Sequence, residues 1–359
     1  MTTVYFKMLI ISLSAILSFI FIFKEMDMTK HAVARIIGIG SYLPARILTN
    51  QELEKMVNTS NEWIVSRTGM QERRLAAIDE FPSDMGIKAA IHALKAAGKE
   101  VTDIDMILVA SMSPDYLSPS TANLIQAGLK AQQAAAMDVQ AACTGFLYEL
   151  SIAKAYIESG MYQCILVVAT EKMSSFIDYE DRTTCVLFGD GAAAAVVTAY
   201  GKGLAIDTIC LGADGELSQL AMIPAGGSRH PASHETVTQR LHYFKMTGNE
   251  VFKHAVRRMS AAARECLKKA HLTETDVSWL VPHQANKRII DAMAKQFNIA
   301  EEKVYQTVHK YGNTSASSIA IALDELQLEH HFEPGEHLLL TAFGGGLTWG
   351  AAILTQIME

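Results

Sequence analysis

The sequence predicts an α/β protein built as two halves, with sheets covered by helices. Two observations predict the class. Short apolar runs recur along the chain, at residues 106–110, 165–169 and 338–342; each is too short for most helices and suits a strand buried on both faces. Amphipathic stretches lie between these runs, and that alternation is the pattern of helices laid on sheets. A third observation divides the chain. A glycine-rich break at residues 201–203 interrupts a chain of 359 residues, and at roughly 150 residues per domain this length accommodates two units. We expect an apolar leader over residues 1–30, an N-terminal half over 31–202 and a C-terminal half over 203–359.

The leader has two readings. Residues 8–23 are apolar apart from three serines and lie between Lys7 and Lys24. That run of 16 is short of the roughly 20 residues a spanning helix needs. A basic start and an apolar middle are present, but no clear small-x-small cleavage site follows. The globular pattern begins at Val33, just after Met26 and Met28. One reading is an over-extended start with Met28 as the true first residue. The other is a membrane anchor.

Further along, Thr59 to Glu62 reads as a capping box opening a helix. After Cys143, Phe146, Leu150, Ala153 and Ile157 repeat at helical spacing and Gly160 ends the run. Residues 226–240, rich in Gly, Ser, His and Thr, read as a surface loop. A helix is expected over residues 249–270, with Thr247 to Glu250 as its capping box. A strand should end at Pro282, followed by a helix carrying Ile289, Ile290, Met293 and Phe297.

Composition narrows the function. Half the residues are hydrophobic and 19% are charged, which supplies a large core, and the net charge of -7 argues against a general nucleic-acid binder. Five cysteines are scattered without a CxxC pair, so a disulfide framework or zinc site is not expected. A reducing, cytoplasmic setting fits and leaves one thiol free to act as a nucleophile.

Cys143 is the first candidate. It opens a helix, where the positive end of the helix dipole should lower its pKa; the bland alternative is a buried structural cysteine. The other four cysteines fall in strand-like or helical interiors and read as structural. His283 lies in a strand-to-helix turn, Pro282 to Asn286, where catalytic groups often sit. Asn313 precedes a helix over 316–328 and serves either as its N-cap or as an amide donor into a cleft. Phe343 leads into three glycines, 344–346, after a buried strand. That turn permits close approach of a ligand and exposes N–H groups suited to an oxyanion.

Taken together, Ala142-Cys-Thr-Gly-Phe146, Phe188-Gly-Asp-Gly191, His283-Gln-Ala-Asn286, Gly312-Asn-Thr-Ser315 and Phe343-Gly-Gly-Gly346-Leu-Thr-Trp-Gly350 resemble β-ketoacyl-acyl carrier protein synthase III, the initiating condensing enzyme of bacterial type II fatty acid synthesis. The resemblance runs from about Ile36 to the C-terminus. It implies a thiolase-like αβαβα fold of two similar halves, each with a five-stranded, mostly parallel sheet, usually as a homodimer. It implies that Cys143 is acylated by an acyl-coenzyme A primer, and that His283 and Asn313 hydrogen-bond the thioester carbonyl of malonyl-acyl carrier protein. The N–H groups of Cys143 and Gly345 would form the oxyanion hole, and Phe343 would border the malonyl carboxylate. No metal or bound cofactor is implied; coenzyme A enters as substrate.

By the same resemblance, Trp63 and Arg182 would sandwich the adenine of coenzyme A, with Thr59, Arg67 and Asn286 along the pantetheine tunnel. Lys253, Arg257, Arg258, Lys287 and Arg288 would form a basic rim that receives the acidic carrier protein; without it they read as solvated helix faces. One departure stands out. Short-primer members often carry a phenylalanine before the proline at 119, reaching across the dimer to close the acyl pocket, and here that place holds Ser118. The expectation is a longer pocket that takes primers beyond acetyl. Competing readings are a specialised relative in secondary metabolism or acyl transfer, a cysteine thioester hydrolase using His283 as base, and an anchored acyl-binding protein.

Overall fold

A computed structural model describes residues 32–358 of the chain. The leader, with its two readings, lies outside the described residues. Among the described residues, no helix is long and apolar enough to cross a membrane.

The apolar runs become strands, as their burial requires. In chain order the main sheet holds β1 (Arg35–Tyr42), β2 (Met106–Ala110), β3 (Ala135–Val139), β4 (Cys164–Glu171), β5 (Gly191–Thr198), β6 (Gly203–Ala213), β7 (Val277–Pro282), β8 (His337–Gly344) and β9 (Thr348–Ile357). Every residue of β2, β4 and β5 is buried, which is why these strands read as continuous hydrophobic runs. The order across the sheet is β7-β8-β9-β6-β1-β5-β4-β2-β3.

That order contains a repeat. On one side, β3, β2 and β4 run parallel, then β5 and β1 follow antiparallel. On the other side, β7 and β8 run parallel, then β9 and β6 follow antiparallel. A parallel bridge between Leu280 and Val304 stands where a fifth strand would lie. Each side is therefore mostly parallel, as expected: β5 alone runs against the other four strands on the first side, and β9 against the other three on the second. β1 and β6 join the two sides through the pairs Arg35–Ala205 and Ile36–Leu204, giving one continuous sheet instead of two separate ones.

Helices complete the layers. We number α1 (Asn61–Thr68), α2 (Pro82–Ala97), α3 (Thr121–Leu129), α4 (Gly145–Glu158), α5 (Gly248–Lys269), α6 (Lys287–Gln296) and α7 (Ser318–Glu329). α2 and α3 pack on β1–β5, and α5 packs on β6, β8, β9 and α6. α4 touches strands of both sides, and α7 touches β1, β5 and β7. The stack is thus α, β, α, β, α. Burial follows from it. α5 buries one stripe, including Ala255, Met259, Ala262, Ala263 and Cys266. α7 buries Ser318 to Leu323 without a break, as a helix enclosed by two sheets must.

Several local expectations are corrected. Ser60, not Thr59, caps α1, its side chain accepting from Trp63 N–H. Thr247 precedes α5 but makes no side-chain cap bond. Asn313 is not the N-cap of α7: a short turn, Ser315–Ser317, intervenes. The loop over 226–240 contains a short exposed helix, His234–Thr238.

Two glycines in β1 set the distance to α2. A Cβ at Gly38 would lie 2.4 Å from Ala97 N, and one at Gly40 would lie 2.5 Å from Ala93 N. Neither backbone can give way locally. We expect Gly40→Val to destabilise the fold by about 1–3 kcal/mol or more in urea unfolding, while Gly227→Ala, in open space, stays within about 0.5 kcal/mol. Equal stabilities would show that α2 is not seated on β1 as described.

Candidate active site

The three candidate residues meet in one cavity. Cys143, His283, Asn313, Phe343 and Gly345 line it together, with Phe188, Phe244, Met259 and other apolar side chains completing the wall. The cavity is small, about 60 Å3. At about 10–15 Å3 per water, it holds a handful of light atoms, about the size of an acetyl thioester.

Cys143 and His283 arrive from the C-terminal ends of strands, while Asn313 follows a short helix, Val308–Tyr311. Cys143 lies in the turn Ala142–Thr144 between β3 and α4. Ala142 enters that turn with φ +46°, a left-handed conformation costly for a residue with a Cβ and typical of functional turns. Opposite it, the tip of the β8–β9 hairpin presses close: a Cβ at Gly344 would stand 2.8 Å from Cys143 N. Only glycine permits that contact, and it brings Gly345 to the same cavity wall.

His283 follows β7, its N–H donating to Thr341 O at 2.8 Å. Nδ1 lies 2.6 Å from Ser318 Oγ at the start of α7. Burial pushes its pKa down from 6.5 to about 3, so the ring is neutral at working pH. If the Ser318 hydroxyl donates to Nδ1, the ring proton sits on Nε2 as a hydrogen-bond donor. Asn313 is bridged to Phe188, and its Oδ1 accepts from Ser315 N–H at 2.8 Å. That occupies the acceptor and leaves the amide N–H groups available. The site therefore offers two neutral donors beside a thiol.

The thiol departs from expectation. Burial pushes Cys143 up to about 12, with the nearby Glu171 charge adding to the rise. The expected lowering by the helix terminus is outweighed by desolvation. Cys164 and Cys185 are pushed up to about 11 by burial as well. Cys143 differs from them in opening on the cavity, where it faces donors.

An outer cleft of about 320 Å3 shares Phe188, Met246, Ala285, Ile289 and Asn313 with the inner cavity and leads to it. Trp63, Arg67, Asn286 and Arg288 line this cleft. The Arg182 guanidinium stacks on Trp63, 4.9 Å from the ring centre. A base held between them needs about 7 Å, twice the closest van der Waals spacing, so the two must part to admit one. Thr59 does not line the cleft, and its buried hydroxyl has no partner among the described residues. On the rim, Lys253 pairs with Glu250 and Lys287 with Asp291. Arg258 pairs with Asp214, Arg288 stacks on Phe252, and Arg257 is exposed. Ser118 is exposed and does not line either cavity of this chain.

Sequence reasoning named Phe188 only within a motif, and did not single out Phe244 or Met259, which read as ordinary core, nor Ser318 and Glu171, which hydrogen-bond behind the site. Among the described residues, no group of three or more His, Cys, Asp or Glu side chains is placed to hold a metal ion.

A five-layer fold with a cavity-facing cysteine, histidine and asparagine defines a thiolase-like condensing enzyme. Comparison with known proteins refines this. The chain matches the family profiles 3-Oxoacyl-[acyl-carrier-protein (ACP)] synthase III over residues 137–215 and its C-terminal counterpart over 267–356. It is 57% identical over 325 residues to the β-ketoacyl-[acyl-carrier-protein] synthase III of Chlamydia muridarum, covering 90% of this chain and 99% of that one. It is similar to the crystal structure of 3-oxoacyl-[acyl-carrier-protein] synthase III from Aquifex aeolicus at 46% identity and TM-score 0.82, covering 90% and 99%. It is also similar, at 35% identity and TM-score 0.84 over 93% and 99%, to the priming β-ketosynthase of the R1128 polyketide pathway. The chain belongs to the β-ketoacyl-acyl carrier protein synthase III family, acyl-transferring condensing enzymes of fatty acid synthesis.

The neutral histidine has a measurable consequence. Its folded pKa, about 3, lies below the ordinary 6.5, so the unfolded chain takes up the proton first as pH falls. Its stabilising contribution is full above about 6.5 and is lost between there and 3, at about 1.4 kcal/mol per pH unit. Urea unfolding of wild type should weaken more steeply from pH 6 to 4 than that of His283→Gln, by about that slope. Parallel slopes would mean that His283 is not buried neutral.

Proposed function

We propose that this chain condenses an acyl-coenzyme A primer with malonyl-acyl carrier protein, releasing coenzyme A and carbon dioxide and forming a β-ketoacyl-acyl carrier protein. The observation that carries the reading is the pair of neutral donors, His283 and Asn313, facing Cys143 in an apolar cavity.

Cys143 attacks the primer thioester, and the N–H groups of Cys143 and Gly345 receive the oxyanion. A thiolate is both a good nucleophile and a good leaving group, so the acyl-enzyme stays poised for transfer. The malonyl thioester then occupies the cavity with its carbonyl on His283 Nε2–H and Asn313 Nδ2–H. These donors stabilise the enolate that forms as carbon dioxide leaves, and each contributes on the order of 3 kcal/mol. Phe343 walls the malonyl carboxylate with a surface that solvates an anion poorly and neutral carbon dioxide well. The resulting carbanion attacks the acyl group on Cys143 and the thiolate departs. Decarboxylation itself supplies the carbanion, so the account needs no metal or bound cofactor.

Trp63, Arg67, Arg182 and Asn286 hold coenzyme A in the outer cleft, with Thr59 behind them. Arg257 and Arg288, least committed to internal ion pairs, lead the docking of an acidic carrier protein, with Lys253 and Lys287 at their side. Two copies associate through β3, which pairs only with β2 and is half-exposed along its length; each copy presents Ser118 to the other. The two halves divide at 202/203, where β6 begins. Five free thiols suit a reducing cytoplasm. A thioester hydrolase would need His283 on the thiol as base. The partner of Cys143 Sγ is instead Ser315 Oγ, at 3.5 Å.

The test follows acylation and carbon dioxide release separately, using acetyl- or octanoyl-coenzyme A with malonyl-acyl carrier protein. His283→Ala and Asn313→Ala should keep acylation within a few-fold and lose carbon dioxide release by about 100-fold or more each. Variants that decarboxylate normally but cannot be acylated would overturn the assignment. Acetyl should lead, given the small cavity; octanoyl acylating equally well would put the pocket's end at Ser118 of a dimer.

A further inference from the structure

Behind the thiol lies a carboxylate that the condensation scheme leaves unused. Glu171 ends β4 and is fully buried. It accepts from Ser113 Oγ at 2.5 Å, Ser111 Oγ at 3.2 Å, and the N–H groups of Met112 and Ser113 at 3.1 Å. A further donor comes from the far side of the cavity: Ala316 N–H, at 3.4 Å. That contact seats Glu171 against the turn bearing Ser315, whose hydroxyl lies 3.5 Å from Cys143 Sγ and helps to hold the Glu171 carboxyl down against the rise that burial causes. Ser315 adopts φ +51° to do so, a conformation that a serine rarely holds without a local reason. The Ser315–Ala316 turn thus touches the thiol through its hydroxyl and the buried carboxylate through its next backbone N–H.

Among the described residues, no cation pairs with Glu171. Lys172, next in sequence, turns its ammonium to the carbonyls of Ala77, Ile78 and Glu80. Glu149 on α4 is fully buried, and burial first, then the charges of Asp138 on β3 and Glu171, push its carboxyl well above the ordinary range. His283 is neutral. Such a pocket tolerates one negative charge and not two, because a second buried anion lacks both water and a partner.

We propose that Glu171 accepts the Cys143 proton through Ser315, so that thiolate and carboxylate share a single negative charge. The S–H bond breaks as its proton passes to Ser315 Oγ, while the Ser315 proton passes to Glu171. The freed electron pair on sulfur attacks the primer's acyl carbon and the bond to the coenzyme A sulfur breaks. The proton then passes from Glu171 through the Ser315 hydroxyl to that departing thiolate, leaving acyl-Cys143, coenzyme A as its free thiol and ionised Glu171. Glu171 touches no substrate; it is a positioning residue that acts through Ser315. Burial that raises an isolated thiol does not oppose this step, since the charge is moved and not created.

The inference rests on Cys143 as the acyl acceptor, and its test uses a probe that needs neither coenzyme A nor carrier protein. Iodoacetamide alkylation of Cys143 is followed by intact mass and peptide mapping from pH 6 to 9, for wild type, Glu171→Gln and Ser315→Ala. Internal transfer makes the reactive fraction nearly independent of pH, so the wild-type rate should stay flat, within about three-fold. Both variants should fall at least ten-fold below it at pH 7 and climb ten-fold per pH unit, as a thiol exchanging its proton with solvent does. Unfolding midpoints keep the comparison honest; Ser315→Ala, which leaves every contact of Glu171 except the hydroxyl, decides the matter if Glu171→Gln fails to fold. A bystander carboxylate gives the opposite sign, because removing its charge makes the thiol easier to ionise. A faster Glu171→Gln, or a wild-type rate that already climbs ten-fold per unit, would overturn the proposal. Failure of acetyl transfer from coenzyme A with the flat alkylation profile intact would instead count against the primer reading.

Discussion

Exclusion of water from one small chamber is the constraint on which the rest depends. It holds His283 neutral, so the ring brings a hydrogen-bond donor to the site without bringing a charge. It also raises the Cys143 thiol, a rise that the proposed transfer to Glu171 offsets by moving a charge instead of making one. The same dryness strengthens each hydrogen bond to a developing enolate. Charged donors would be costly there, and the site uses an imidazole and an amide.

The architecture supplies this dryness by sandwiching α4 and α7 between strands of both sides, so that their N-terminal turns meet beneath the outer cleft. The repeated strand order gives the site its symmetry. Ser111 and Ser113 follow β2, as His283 follows β7. Cys143 follows β3, as Asn313 follows the bridge at Val304. Glu171 ends β4, as Phe343 and Gly344 end β8. Functional groups gather where strands end and helices begin, as is general for α/β sheets. Each side supplies a different chemistry, nucleophile and carboxylate from one, donors and hairpin tip from the other.

Much of this was legible in the sequence. Unbroken apolar runs marked the strands because two-sided burial leaves no room for polar alternation, and Cys143 and His283 each stood at a strand-to-helix junction, whereas Asn313 lies between a short helix and a turn. What was hidden depended on depth and contact. A helix start beside Cys143 suggests a low pKa; only the packed structure reveals that desolvation is larger. Thr59 and Ser60 are adjacent hydroxyl residues equally able to cap, and backbone geometry selects Ser60. Glu171 follows an apolar run as any surface carboxylate would, and nothing local announces that Ser111, Ser113 and Ala316 enclose it. The joining of the two sides through β1 and β6 rests on two residue pairs, far too little to leave a trace in composition.

The central claim is that this dry chamber makes Cys143, among five thiols, the one that carries the acyl group. The most direct test is intact mass and peptide mapping of wild type and Cys143→Ala after brief mixing with acetyl-coenzyme A. The account predicts one acetyl group on wild type, located at Cys143, and none on the variant. Free acetate with unmodified protein, or acetylation at Cys164, Cys185, Cys210 or Cys266, would contradict it.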